Sequence, residues 1–174
     1  MINGTMAHCL DYDDTHVGST THVSGPTVAS ALAVGTHLGA SEQDILSAII
    51  TGFEVAARLG NGAGQPANLR GFHATGIFGA FGATAAASVL FRLDEARARN
   101  AFGAVATQTG GLSASFGTMS KPFHAGKAAL NGVLSAELAG EGFIAKEDLL
   151  EPDGGLSTSI YQDGGAALAS LDFS

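Results

Sequence analysis

The chain has 174 residues, of which 45% are hydrophobic and only 14% charged, with a formal net charge of −8. Eight Lys and Arg in all exclude a nucleic-acid surface, which takes clustered cations, and apolar runs are broken by Gly, His and Asp before they reach the ~20 residues of a membrane span. One cysteine, Cys9, permits neither an internal disulfide nor a Cys-based zinc cluster, and the N-terminus MINGTMAHCLDYDD lacks the basic and apolar regions of a signal peptide, so a reducing cytoplasm is the expected location.

The first helical pattern is GPTVASALAVGTHLGA, where Pro26 suits a first turn, Val28, Leu32 and Gly35 mark an apolar face, and Gly39 is the stop. In SEQDILSAIITGFEVAARLGNG, Ser41 caps a second helix, Asp44 sits in its first turn, and Ile45, Ile49, Phe53 and Ala56 recur at helical spacing until Gly60 ends it. A loop is expected over GNGAGQPANLRG. The next segment, FHATGIFGAFGATAAASVLFRL, is rich in Gly and Ala; each glycine lowers intrinsic helix stability by up to ~1 kcal/mol relative to alanine. Packing must compensate, so this reads as a central helix wrapped by others. LDEARARNAFGAVATQTGG follows with Asp94 as its N-cap, then GKAALNGVLSAELAGEG, ending near Gly140 or Gly142.

Five helices in series with almost no strand signal predict an all-α, compact multi-helix bundle, with residues 1–174 as a single, partial helical domain. Low charge with a mean hydropathy of +0.24 predicts apolar surface covered by another subunit or domain. A homo-oligomer is therefore expected. The tail EPDGGLSTSIYQDGGAALASLDFS is weak in helical period and reads as a chain cut where another element would begin.

Three loop segments beside apolar helices hold nearly all the reactive groups: LDYDDTH…THVSG, RGFHATG and TMSKPFHAGKAA. Histidine or lysine lies there beside glycine and hydroxyl residues at helix boundaries, where free backbone N–H groups receive carboxylates. An anionic small molecule is the natural ligand, with Arg70, His73, Lys121, His124 and Lys127 as sources of local positive charge. His22 and His73 suit proton exchange near neutral pH. Asp13 and Asp14 read as supporting or solvated carboxylates, one of them holding Thr15 or a histidine in place. His8 and His37 lie in helical patterns and read as packing residues. A metal is the chemical rival, since His8, Asp11, Asp13, Asp14, His16 and His22 offer both nitrogen and oxygen. The spacing matches neither a zincin nor a calcium loop, so no metal and no cofactor is expected.

The succession NGTMAHCLDYDDTH, then His-x-Ser, then GFHATGIFGAFGATAAA, then KPFHAGKAA resembles the MmgE/PrpD family in order and spacing across nearly the whole chain. That resemblance implies a cofactor-independent lyase or isomerase acting on a small di- or tricarboxylate, in a homodimer whose subunits add an α+β lid domain. A 2-methylcitrate dehydratase is the favoured expectation, beside a cis-aconitate decarboxylase or iminodisuccinate epimerase. It implies Asp11, Thr15 and His22 as catalytic residues, with His22 and Asp11 as the acid–base pair. Substrate carboxylates would fall to His73 and Lys121, with His124 beside them. His22-Val23-Ser24 stands where the family often carries His-Pro-Ser, and a spacer one residue longer from Thr15 leaves both His16 and His22 as candidates. Because the lid and the preceding helices are not in this chain, the alternatives are a lid encoded separately or a catalytically inactive helical remnant that binds carboxylates or oligomerises.

Overall fold

The computed structural model describes residues 1–150 and 154–162. The protein is all-α. Its helices are α1 (Ile2–Ala7), α2 (Ser24–Leu38), α3 (Glu42–Leu69), α4 (Ala74–Leu90), α5 (Glu95–Ala106) and α6 (Ser120–Gly140), with 3-10 turns at Val17–Ser19 and Ser113–Ser115 and a π turn at Ser157–Tyr161. Among the described residues the extended pairings are two isolated bridges, His16 with Thr21 and Phe72 with Leu112.

The expected caps form. The Ser41 hydroxyl accepts the Asp44 N–H at 3.1 Å, and the Asp94 carboxylate accepts the Arg97 N–H at 2.8 Å, each satisfying a donor that the first turn leaves free. Gly39 ends α2 in the left-handed conformation at φ 64°.

Helix α4 is the axis of the fold. Every residue from Ala74 to Ser88 is buried, and α2, α3, α5 and α6 pack around it. A helix apolar all round has no solvent face, so it must be enclosed. Small side chains make that enclosure tight. At the α3–α4 crossing, a Cβ on Gly52 would lie 2.5 Å from the Gly82 carbonyl oxygen, and one on Gly82 would lie 2.7 Å from that of Gly52. Two cores flank the axis: Ile77, Phe78, Phe81, Val105 and Tyr161 on one side, and Ala31, Val34, Ala86, Leu90 and Ala136 on the other.

Three expectations are corrected. The loop expected from Gly60 to Gly71 is helical as far as Leu69, despite Pro66 inside it. Burial accounts for the extension: Gly60, Ala63, Gly64 and Ala67 face inward, and a Cβ on Gly64 would meet the Ser19 carbonyl oxygen at 1.9 Å. Those residues are there to admit the 3-10 turn, not to end a helix. Helix α6 begins at Ser120, ahead of the expected Gly126, because Pro122 stands in its first turn, where its missing N–H costs nothing. Lys121 and His124 thus stand on a helix rather than in a loop. On α2 the buried face is Thr27, Ala31, Val34 and Gly35, while Leu32 is exposed; proximity to α4 favours small residues over the larger apolar one. The expected break in the tail falls partly on residues 151–153 and 163–174, outside the described residues.

Gly82→Ala is expected to destabilise the chain by about 1–3 kcal/mol, the usual cost of overpacking a closed helix crossing. Denaturant unfolding checks this, and an unchanged midpoint with an unchanged slope would mean that the crossing is looser than described.

Candidate functional site

The site gathers on the N-terminal end of α4. The connection from His8 to Val23 is held there by its own polar groups. Asp11 takes a positive φ of 58° and Thr20 one of 53°, left-handed positions that aspartate tolerates better than bulky residues. The His16 ring accepts the Ser19 N–H at 3.2 Å and meets Phe53 edge-on. His16 is therefore a local cap for the 3-10 turn. The His22 N–H donates to the Thr75 hydroxyl of α4 at 3.0 Å, and the Ser24 N–H donates to Asp14 at 3.0 Å, which caps α2 from outside the helix.

His73 is the N-cap residue of α4, and its N–H donates to the Gly111 carbonyl at 2.9 Å. Its Nδ1 shares a hydrogen bond of 3.0 Å with Nδ1 of His124 on α6. The His73 ring stacks on His8 at 5.6 Å and receives Phe116 edge-on at 4.9 Å. Burial, reinforced by the neighbouring charges of His124, His8, Lys121 and His22, pushes His73 down to about 3. His73 is thus a neutral hydrogen-bonding imidazole near pH 7, not the cation expected from the sequence. His124 is also lowered, by burial first and then by Lys127 and His8.

The Lys121 ammonium lies 2.5 Å from both carboxylate oxygens of Asp11 and 5.3 Å from the centre of the Phe116 ring. The Lys121 hydrogen bond, opposed in part by desolvation, holds the Asp11 carboxyl below its usual range. The acid–base pairing expected for His22 is different in detail. Its nearest carboxylate is Asp13, 3.6 Å from Nδ1, while Asp11 is engaged by Lys121. Thr15 stands beside the same nitrogen, 3.4 Å from it. Arg70 does not join this group: it donates to the Tyr161 carbonyl and to Gln162, anchoring the π turn.

His22, His73 and Lys121 line one cleft of about 230 Å³ together with Thr20, Asn68, Ser113 and Phe116. Larger clefts of 380–450 Å³ lie elsewhere and contain none of the cleft's basic groups. Composition pointed to His22, His73, Lys121 and His124 because imidazole and ammonium are conspicuous in so uncharged a chain. It missed Asn68, Ser113 and Phe116. The last two sit in TGGLSASFG, a glycine-rich segment without a titratable side chain, and Asn68 lay in the stretch expected to be a loop. His8 is buried, as a core packing residue would be, but it stands at the C-cap of α1 and is hydrogen-bonded to Asp13 at 2.8 Å. His8, Asp11, Asp13 and His22 each bring a ligand atom within 4.8 Å of the others, a nitrogen–oxygen set that a divalent transition ion could use.

Chemically, the cleft offers an imidazole backed by a carboxylate and a hydroxyl, a neutral pair of imidazoles, and one ammonium. That set can bind a carboxylate and move a proton at an adjacent carbon.

The family model described as MmgE/PrpD N-terminal domain matches residues 1–168. Cis-aconitate decarboxylase of Homo sapiens is 31% identical over 159 residues, covering 88% of this chain and 33% of the relative. The cis-aconitate decarboxylase of Aspergillus terreus is 31% identical over 171 residues, 94% of this chain and 35% of the relative. A cis-aconitate decarboxylase-like protein, oryM, of Aspergillus oryzae is 30% identical over 176 residues, 95% and 36%. The chain spans about a third of the length of these relatives.

The depressed His73 has a definite consequence for stability. Between its ordinary value of 6.5 and about 3, the unfolded chain binds a proton that the folded chain refuses, so stability is full above about pH 6.5 and falls as pH drops through that window. His73→Gln is expected to flatten this acid slope in thermal unfolding followed from pH 7 to 4; an identical slope in both proteins would assign the acid sensitivity to other groups.

Proposed function

The chain belongs to the MmgE/PrpD family, and on that premise we propose that it is the helical, substrate-binding part of a lyase acting on a small di- or tricarboxylate by proton transfer at carbon next to a carboxylate. The observation that carries this reading is the convergence of Asp11, Thr15, His22, His73, Lys121 and His124, drawn from α4, α6 and the connection between α1 and α2, around the one cleft that His22, His73 and Lys121 line together. The names of the relatives favour decarboxylation of cis-aconitate over dehydration of 2-methylcitrate, which the sequence pattern had favoured.

In such a decarboxylation, the C–C bond to one carboxylate breaks, carbon dioxide leaves, and the electron pair ends in a new C–H bond. The protein must place a proton donor and stabilise the negative charge that develops meanwhile. His22 is the donor, oriented by Thr15 and Asp13. Lys121 holds a substrate carboxylate, which must compete with Asp11 for the ammonium. Neutral His73 donates or accepts a hydrogen bond without adding charge, and Phe116 confines both it and Lys121. The expected homodimer belongs to the same proposal, and light scattering at the mass of two chains tests it.

A second reading has one observation in its favour. The Asp11 side chain is 54% exposed, and acid–base groups left in water lose much of the advantage that closure gives them. On that reading the chain binds carboxylates without turning them over.

Incubation of the folded protein with cis-aconitate, 2-methylcitrate and iminodisuccinate, followed by NMR, separates these readings. The expected result is turnover of cis-aconitate to a product one carboxylate shorter. His22→Gln is expected to lower kcat by about 10²–10⁴-fold, whereas Lys121→Ala is expected to act mainly on KM. Calorimetric binding without turnover would establish the binding module, and absence of binding would remove the site assignment.

A further inference from the structure

Against His22 lies a polar pair, His8 and Asp13, of which the proposed chemistry has used only the Asp13 carboxylate. His8 is completely buried, with 0% of its side chain exposed, and Asp13 keeps only 7%. Nδ1 of His8 is 3.0 and 2.8 Å from the two oxygens of Asp13. The other ring nitrogen, Nε2, is buried without a partner. Asp13 also faces His22, with Oδ1 3.6 Å from Nδ1 of that ring, a charge contact longer than a hydrogen bond, while the Thr15 hydroxyl lies 3.4 Å from the same nitrogen. The His8 and His22 rings lie 4.5 Å apart, tilted by 58°.

These distances decide where the proton of His8 sits. With hydrogen on Nδ1, the ring donates to Asp13 and leaves only a bare lone pair at Nε2. With hydrogen on Nε2, a buried N–H would lack an acceptor while the Nδ1 lone pair faced a carboxylate, so two contacts would be unfavourable at once. The first arrangement wins on both counts. It also keeps Asp13 an acceptor with capacity left for His22, since each carboxylate oxygen takes more than one hydrogen bond. A ring nitrogen that faces such an oxygen carries the hydrogen, and the opposite nitrogen then carries the lone pair.

We infer that His8 is a positioning residue: from inside the protein it holds Asp13, and through Asp13 it fixes His22 in the tautomer with hydrogen on Nδ1, leaving Nε2 to exchange a proton with substrate. The inference rests on the reading of His22 as the proton-transfer group. Asp13 and His8 touch no substrate in this scheme, and Asp11, 3.8 Å from Nδ1 of His8, stays with Lys121. The role parallels that of a buried carboxylate that orients a catalytic imidazole, with a second imidazole added behind it.

The test reads the tautomers directly and needs no turnover, so it stands or falls apart from the lyase assignment. Histidine ring nitrogens are labelled with ¹⁵N in the full chain and their protonation is read by NMR at pH ~8, above the ordinary histidine range. Hydrogen on Nδ1 is expected for both His8 and His22. In Asp13→Asn the new amide can donate to Nδ1 of His22, so loss of the single Nδ1–H form in favour of Nε2–H is expected. His8→Leu is expected to give a mixture at His22, and His8→Asn, whose amide replaces the Nδ1 donor, is expected to restore the wild-type form. A wild-type His22 carrying its hydrogen on Nε2 would overturn the inference, as would a His8→Leu protein whose His22 spectrum equals that of wild type. Because the wild-type spectrum is itself decisive, a variant that fails to fold leaves the inference exposed to refutation.

Discussion

The structure depends on the enclosure of α4. A helix from which nearly every side chain is withdrawn from water can be stable only if its neighbours come close, and closeness is what glycine and alanine supply. The meeting of Gly52 and Gly82, each short of the other's carbonyl by less than a normal contact if a Cβ were added, sets the distance between α3 and α4. From that distance follows the rest. The N-terminal end of α4 becomes a fixed platform, carrying His73 as its N-cap residue and Thr75 as the acceptor that anchors His22. His73 is thus mounted on a fully packed helix and His22 is tied to it through Thr75, while Lys121 and His124 come from α6, which packs against the same helix.

Charge is arranged as economically as volume. The protein is acidic, yet in the site region carboxylates are matched with cations or donors: Asp11 with Lys121, Asp13 with His8, Asp14 with the start of α2. Four imidazoles run in contact from His22 through His8 and His73 to His124. Four positive charges at such spacing would repel strongly in a poorly solvated space. Burial removes His73 from the count, and its ring instead shares a hydrogen bond with His124. Lys121 is then the permanent cation lining the cleft. The carboxylate set against it is one that the protein supplies itself, that of Asp11.

Much of this was legible in the sequence. Ser41, Asp94 and Gly39 announced helix ends because capping is local chemistry, decided by a side chain and the backbone within three residues of it. The Gly- and Ala-rich run over 74–90 announced a central helix because its glycines lower intrinsic helix stability and need close packing on every side to compensate. The motifs around Asp11, His22, His73 and Lys121 also announced the family, whose N-terminal-domain model spans residues 1–168. Errors arose where one residue type serves two purposes. Gly60 was read as a stop and Gly64 as loop, although both are contact points for Ser19, and Pro122 was read as loop although it stands in the first turn of α6.

The sequence by itself determined the all-α class, the caps, the family, and the residue types available for chemistry, since each depends on local preference or on an ordered pattern along the chain. Only the tertiary structure decided the partnerships. Asp11 and Lys121 lie 110 residues apart, and nothing local favours that pairing over one between Asp11 and His22. Phe116, Asn68 and Ser113 became wall residues of the cleft, and His8 became the partner of Asp13, for the same reason. Contacts between distant segments are fixed by how helices pack around α4, and the burial that packing creates is what turns His73 from a potential cation into a neutral imidazole.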